Sequence, residues 1–327
     1  MLLKLKDVKK NYKINKNEVQ EVLKDINLTL KSGEFVCIYG ESGSGKSTLM
    51  NMLIGEKISI ISSKPQTTRN KIQTILTTDN AQVVFIDTPG LHTAKSKLGE
   101  YMVKSAETTM NDVDLVLYLI EPFEKIKDSD KAILDRLKNV TTPVFLVINK
   151  IDTINKEELF KVISSYKEVY DFKEIIPISA LKQQNKEDLL KHIEKYLPEG
   201  PKYFPEDMIT DQPEKQIVSE IIREKALYLL QEEIPHGIAV EVTSMKKRKE
   251  KDIYDIDATI YCERDSHKGI IIGKQGSMLK KIGTNARKDI QRFLGASINL
   301  QLWIKVKKGW RDNNFLLKNF GYDSKQI

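Results

Sequence analysis

The sequence predicts a parallel-sheet α/β domain that opens on a phosphate loop, then a smaller basic α+β domain, with a short β-strand appendage ahead of both. Three observations carry that expectation. Apolar runs of strand length alternate with helical segments from residue 35 to about residue 197. A glycine-rich G-x-x-x-x-G-K-S stretch follows the first of those runs. The net charge of +7 is concentrated: residues 211–327 hold 22 basic and 16 acidic side chains, residues 1–210 hold 31 and 30.

The 327 residues suffice for about two domains, and 40% hydrophobic residues exclude wholesale disorder. Two cysteines, Cys37 and Cys262, cannot build a disulfide framework. No apolar stretch reaches the ~18 residues of a membrane span, so no integral membrane segment is expected. The start, Met1-Leu2-Leu3-Lys4-Leu5-Lys6, lacks the apolar core of a signal peptide, and a cytoplasmic setting follows.

In chain order, residues 2–9 and Val22–Leu30 read as strands, and Lys31-Ser32-Gly33-Glu34 as a turn. Phe35–Tyr39 is a buried strand, and so are the runs Val83–Ile86, Leu115–Ile120, Val144–Ile148 and Ile175–Ile178. Ser129–Lys138 and Lys156–Tyr170 read as helices between them. Glu199-Gly200-Pro201 through Gln212-Pro213 is a proline-rich link. The second domain then offers a helix at about 214–233, strands near 238–245 and 253–262, a helix near 276–293 and a strand near 298–307.

Gly40-Glu41-Ser42-Gly43-Ser44-Gly45-Lys46-Ser47, with Thr48 behind it, lies between a strand and a helix. There Gly40, Gly43, Ser44 and Gly45 let backbone amides close on phosphates, Lys46 reaches the β- and γ-phosphates, and Ser47 offers a hydroxyl to Mg²⁺. Val84-Phe85-Ile86-Asp87-Thr88-Pro89-Gly90 puts Asp87 at a strand's C-terminal end, where such sheets bind ligands. Asp87 can serve the Mg²⁺ shell and the Gly90 amide can sense a γ-phosphate. Asn149-Lys150-Ile151-Asp152 ends the next but one strand: Asp152 would accept from guanine N1 and N2, Asn149 steady the loop and Lys150 cover the base. Ser179-Ala180 follows a further strand and would offer amides to guanine O6. The four motifs in this order resemble a translational-type GTPase, which implies GTP and GDP as ligands with Mg²⁺.

Residues 58–70, ISIISSKPQTTRN, resemble the first switch of the Era family of bacterial ribosome-assembly GTPases, and Asp87–His92 (DTPGLH) its second. The resemblance makes Thr68 the metal and γ-phosphate threonine, with Thr67 the nearby alternative. It places Leu91 where other GTPases carry a water-orienting glutamine, which implies slow turnover. It runs from about residue 49 to the C-terminus, including Trp310-Arg311-Asp312 and the Gly321-Tyr322-Asp323 tail.

In the basic third, Gly273-Lys274-Gln275-Gly276 is the G-x-x-G loop of a KH domain, followed by Leu279, Ile282, Ala286, Ile290 and Phe293 at helical spacing. Lys268, Lys274, Lys280, Lys281 and Arg287 supply charge for RNA around Gly273, Gln275 and Gly276. Lys246-Lys247-Arg248-Lys249 reads instead as a solvated hairpin loop, with a secondary phosphate contact as the alternative. The Era resemblance implies a type II KH fold, the 3′ region of 16S rRNA and the 30S subunit as partners; a peripheral membrane contact stays open. In family terms the fold class is an α/β P-loop GTPase domain and an α+β type II KH domain behind an N-terminal β-strand appendage.

The beginning of the chain differs. Leu5–Tyr12, Val22–Leu28 and Ser32–Val36 resemble the start of an ABC-transporter ATPase, and so does the phosphate loop. The resemblance implies a chimera joined near Gly45–Asn51, with Tyr12 where an adenine-stacking aromatic would stand. No ABC signature or Asp-Glu strand end follows, since Thr88 succeeds Asp87. Era-type loops read G-x-P-N-V-G-K-S; Gly43 replaces their asparagine, which implies weak potassium stimulation. The expected parts are 1–33 (ABC-like appendage), 34–200 (GTPase domain), 201–213 (linker) and 214–327 (KH domain and tail). An RNA-binding module with an impaired GTPase half, or an ATP-binding transporter subunit, are the alternatives.

Overall fold

The computed structural model describes residues 3–15, 18–30, 35–62, 64, 66–90, 94 and 96–322, and for 3–30 the backbone pairing alone. Leu91, His92, Asp323 and the 31–34 turn lie outside the described residues.

The first domain is a six-stranded sheet built from β3 (Phe35–Gly40), β4 (Ile72–Thr77), β5 (Gln82–Asp87), β6 (Leu115–Ile120), β7 (Val144–Ile148) and β8 (Glu174–Pro177). Their spatial order is β4-β5-β3-β6-β7-β8, parallel except for β4, which runs antiparallel to β5 at the edge. β6 and β7 are buried at every position because helices cover both faces, so their sequences are continuous apolar runs. Helix α1 (Lys46–Ile54) leaves β3 through the phosphate loop. Helices α2 (Lys97–Asn111), α3 (Asp128–Leu137), α4 (Lys156–Lys167) and α5 (Lys186–Tyr196) follow. Asn155 caps α4 in a reciprocal box with Glu158, both hydrogen bonds at 2.9 Å, which fixes where the chain turns helical after the Asp152 loop. Each parallel strand ends at the same edge, and the four sequence motifs therefore meet there.

The second domain reads α6 (Glu214–Leu229), β9 (Ala239–Lys247), β10 (Ile253–Cys262), α7 (Asp265–Ile272), α8 (Ser277–Leu294) and β11 (Ser297–Val306). Its sheet order is β11-β10-β9, with β10 and β11 parallel and β9 antiparallel. The core joins Ile217, Val218, Ile221 and Ile222 of α6 to Ile282, Ala286 and Ile290 of α8 and to Ile256, Ala258 and Ile260 of β10. A short helix, α9 (Asn314–Asn319), closes the chain.

The leader forms β1 (Leu3–Asn15) and β2 (Glu18–Leu30), longer than the two short strands read from the sequence. They pair with each other, Tyr12 opposite Gln20 and Leu3 opposite Leu30, in a two-stranded antiparallel sheet of their own. Strands adjacent in sequence find each other at little loop cost, which favours this antiparallel pairing.

The 201–213 link is bound along the sheet edge. Ile75 N donates to Ile209 O (2.9 Å), Thr210 Oγ1 to Gln73 O (2.6 Å), and Gln82 Oε1 accepts from the amides of Tyr203 and Phe204. The C-terminal segment docks on α2: Leu98 and Met102 share a buried cluster with Trp310, Leu317 and Tyr322.

Candidate functional site

The phosphate loop lines a cleft of about 440 Å³ with residues 60–62, Thr67, Thr68, Gly90, Glu121 and Lys150. Its backbone admits few side chains. Gly45 has φ +100°, and a Cβ there would stand 2.3 Å from Asn149 Nδ2. At Gly90 a Cβ would fall 2.9 Å from Ser42 N, so the DTPG turn packs flush on the loop. Gly43 is different: φ is +92° and no heavy atom lies within 4 Å of where a Cβ would be.

Lys46 is buried, and its Nζ donates to Gly40 O (2.9 Å) and Glu41 O (2.8 Å), which curls the ammonium back over the loop. Burial lowers its pKa and Asp87 opposes that. Asp87 is fully buried. Burial pushes its pKa up to about 6 against the pull of Lys46 and the hydroxyls of Ser47 and Thr68.

Three oxygens converge beside the loop. Ser47 Oγ donates to Asp87 Oδ2 at 2.8 Å and lies 3.1 Å from Thr68 Oγ1, which reaches the same carboxylate oxygen at 3.5 Å. Of the two threonines weighed from the sequence, the structure turns Thr68 to this point and spends the Thr67 hydroxyl on Lys64 O (2.6 Å). Two hydroxyls and a carboxylate form an all-oxygen donor set suited to Mg²⁺. Asp87 Oδ1 is buried without a hydrogen-bond partner among the described residues, an acceptor that a hydrated divalent cation would satisfy. The residues therefore fit the ion.

At the far end, Asn149 bridges two loops: Nδ2 donates to Ser44 O (2.8 Å) and Oδ1 accepts from Ala180 N (3.0 Å). Lys150, at φ +62°, donates to Gly43 O (3.0 Å) and pairs with Glu121. Asp152 is exposed, its Oδ1 accepting from Ser179 Oγ at 2.6 Å. The Ser179 amide donates to Gln184 O (3.3 Å) and the Ala180 amide to Asn149 Oδ1 (3.0 Å), contacts that tie this loop to the Asn149 loop.

Sequence reasoning missed three contributors. Asn51 accepts from the amides of Ile58 (3.0 Å) and Ser59 (2.9 Å) and so anchors the segment that carries Thr68. Glu121, beyond β6, orients Lys150. Arg69 is buried and donates to Ile238 O (2.6 Å) and His236 O (3.1 Å) of the second domain.

A family model described as 50S ribosome-binding GTPase matches residues 35–150, and a KH domain model matches residues 233–311. The GTPase Era of Clostridium kluyveri is 58% identical over 293 residues, which are 90% of this chain and 99% of that protein. This chain belongs to the Era family of GTPases. The GTPase Era of Clostridioides difficile is 56% identical over 296 residues, 90% of this chain and 99% of that one. A crystal structure of Era with MgGDPNP and nucleotides 1506–1542 of 16S ribosomal RNA is 41% identical. It superposes with TM-score 0.86 over 90% of this chain and all of that one. A tyrosine-to-alanine variant of Aquifex aeolicus Era bound to GDP and AlF4⁻ gives TM-score 0.84 at 40% identity, over 88% of this chain and 98% of that one.

The Era-family KH domain places its G-x-x-G turn between α7 and α8. α7 is a helix the sequence reading absorbed into the loop, because its Gly269-Ile270-Ile271-Ile272 run has no helical periodicity of its own. Gly273 has φ +72°, and a Cβ on it would meet Met278 N at 2.9 Å. Lys274 and Gln275 are exposed, and Lys280, Lys281 and Arg287 are exposed along α8, with Lys268 half-buried on α7. The turn delivers the chain into the N-terminus of an 18-residue helix, a favourable place for a phosphate. Of the Lys246–Lys249 cluster read as a hairpin loop, Lys246 and Lys247 end β9, paired with Asp255 and Tyr254 of β10, and Arg248 beyond them forks onto Asp255 at 2.7 Å.

With no side-chain oxygen at Gly43, the loop has nothing there to hold a monovalent cation. Hydrolysis is expected to differ by no more than about twofold between K⁺ and Na⁺; a large K⁺ preference would overturn this.

Proposed function

We propose that this chain binds GTP with Mg²⁺ at the phosphate-loop cleft, hydrolyses it slowly, and binds the 3′ region of 16S rRNA through its KH domain during assembly of the 30S subunit in the cytoplasm. The observation that carries this reading is the convergence of Ser47, Thr68 and Asp87 at one end of a loop network whose other end presents Asp152. Among the described residues no helix is long and apolar enough to cross a membrane.

Lys46 and the loop amides of Gly40–Thr48 would hold the phosphates, and Ser47, Thr68 and Asp87 the metal ion. When bound, Mg²⁺ supplies neutralisation of charge on the β- and γ-phosphates. Gly90, packed on Ser42, keeps the second switch against the loop. Asn149 holds the base-side loops at a fixed distance from the phosphates, and Lys150 covers that route. In the KH domain, Gly273 and Gly276 let an RNA backbone approach, while Lys268, Lys274, Gln275, Lys280, Lys281 and Arg287 give it charge and polar contacts.

Residues 1–33 are read as an ABC-ATPase-like appendage ahead of a GTPase domain (34–200), linker (201–213) and KH domain (214–327). Support for the resemblance is the sequence of the leader itself, and the GTPase family match begins after it, at residue 35.

A nucleotide titration tests the first half. Labelled GDP should be displaced by GTP and left in place by ATP at about 100-fold higher concentration; displacement by ATP that depends on Tyr12 favours the transporter alternative. The RNA half is tested with Lys274→Glu/Lys280→Glu, both exposed. Affinity for a 3′-terminal 16S oligonucleotide should fall about 100-fold at low salt, and the salt dependence should flatten by about two counterions. Unchanged affinity and slope would remove the G-x-x-G face from the RNA site.

A further inference from the structure

The segment that carries Thr68 is held by the other domain as well as by Asn51. Arg223 of α6 is fully buried, and its guanidinium donates to the carbonyl of Thr67 while Nε donates to Glu220 at 2.8 Å. That carbonyl belongs to the Thr67–Thr68 peptide, so its orientation sets where the Thr68 side chain starts. One residue along α6, Glu224 Oε1 accepts from Ile61 N (2.9 Å), and Oε2 takes Lys57 Nζ (2.8 Å) and Lys225 Nζ (2.6 Å). Asp289 of α8 completes the cluster through Lys57 (3.1 Å) and Lys225. On the far side of Thr68, the Arg69 guanidinium lies 5.7 Å from the Trp310 ring centre and donates to β9's approach at His236 and Ile238.

We propose that Arg223 and Glu224, on the first helix of the KH half, are positioning residues of the GTPase centre: they hold the backbone at Ile61 and Thr67 so that the Thr68 hydroxyl faces Ser47 and Asp87. The inference rests on the GTP reading of the cleft and adds to it a dependence on the second domain. A purely structural role explains the geometry poorly. Replacing a buried ion pair by apolar side chains is often neutral or stabilising, and Arg223 Nη1 has no hydrogen-bond partner among the described residues. What a guanidinium supplies and an apolar side chain does not is directed donation to one carbonyl, next to the metal-site threonine. Coupling of this kind is reciprocal: whatever stabilises Thr68 at the metal site favours the α6 arrangement that holds it. A shift of α6 would then withdraw Arg223 from Thr67.

The test uses the full chain with Arg223→Met, Arg223→Lys and Glu224→Ala. For Arg223→Met, hydrolysis at saturating GTP should fall between about 10- and 100-fold, and the Mg²⁺ concentration for half-maximal hydrolysis should rise about tenfold. GDP affinity should stay within about twofold, because the phosphate loop and Asp152 are untouched. Arg223→Lys should recover part of the loss, since an ammonium can still donate to the Thr67 carbonyl. If Arg223→Met does not fold, Glu224→Ala carries the test: its Mg²⁺ requirement should rise about fivefold, with faster amide exchange at Ile61. Wild-type hydrolysis and Mg²⁺ dependence in the folded variant overturn the proposal, and so does a parallel loss of GDP affinity. Failure of the wild type itself to bind GDP overturns the GTP reading, and the inference with it.

Discussion

Asp87→Asn is expected to lower Mg²⁺-dependent GTP hydrolysis by at least about 100-fold while leaving the nucleotide-free protein at least as stable as the wild type at pH 7. Both effects come from one buried carboxylate. Its Oδ2 is the point at which Ser47 and Thr68 meet, so the amide removes the negative charge that a divalent cation needs there. The stability argument runs through the pKa, raised by burial from 3.8 to about 6. Between those values the folded chain keeps a proton that the unfolded chain has released. The contribution of this group to stability is therefore full below about pH 4 and is lost as pH rises through 6. A shift of roughly two units corresponds to about 3 kcal/mol. At pH 7 the wild type bears that cost, and an uncharged isostere relieves it. Thermal unfolding without nucleotide and single-turnover hydrolysis check the pair. A clearly lower Tm, or hydrolysis within about threefold of wild type, contradicts the assignment. A proton and Mg²⁺ compete for this carboxylate, so the Mg²⁺ concentration for half-maximal hydrolysis by the wild type should rise as pH falls below about 6.

The strand-end motifs were legible because their chemistry is local. A phosphate loop, an acid after a buried strand and an N-K-x-D turn each need only a few consecutive residues, and the parallel sheet brings them to one edge. β4 was not legible: Ile72-Gln73-Thr74-Ile75-Leu76-Thr77 mixes apolar and polar residues without clean alternation, and it takes strand form by pairing with β5 and the 209–210 segment. Choosing Thr68 over Thr67 needed coordinates, since neighbouring threonines differ only in which way the backbone turns them. The contacts between the domains left no trace in the sequence. Thr67 and Arg223 are separated by 156 positions, and nothing local distinguishes a fully buried arginine from one on a solvated helix face. The same holds for Trp310, whose Nε1 donates to Gly237 O at 3.0 Å inside a cluster shared with α2.

Asp152→Asn should change which base the protein accepts. Asp152 follows β7 in a one-turn helix, Ile151–Thr153, and is placed by the Ser179 hydroxyl at 2.6 Å. A carboxylate there can accept from both N1–H and the 2-amino group of guanine, two charge-assisted hydrogen bonds that adenine cannot supply. An asparagine keeps one acceptor and presents a donor in place of the other. The 2-amino group then meets an N–H, while a purine with a carbonyl at C2 finds a partner. Each charge-assisted bond is worth roughly 1.5–3 kcal/mol, so GDP affinity should fall about 1,000-fold and xanthosine diphosphate should bind more tightly than GDP. The Ser44–Asn149–Ala180 bridge does not involve Asp152, so the phosphate end should keep its arrangement and the variant should hydrolyse xanthosine triphosphate at a rate within about tenfold of wild-type GTP turnover. Competitive titration of GDP, ADP and xanthosine diphosphate decides it: a variant that still prefers GDP places base recognition elsewhere than Asp152.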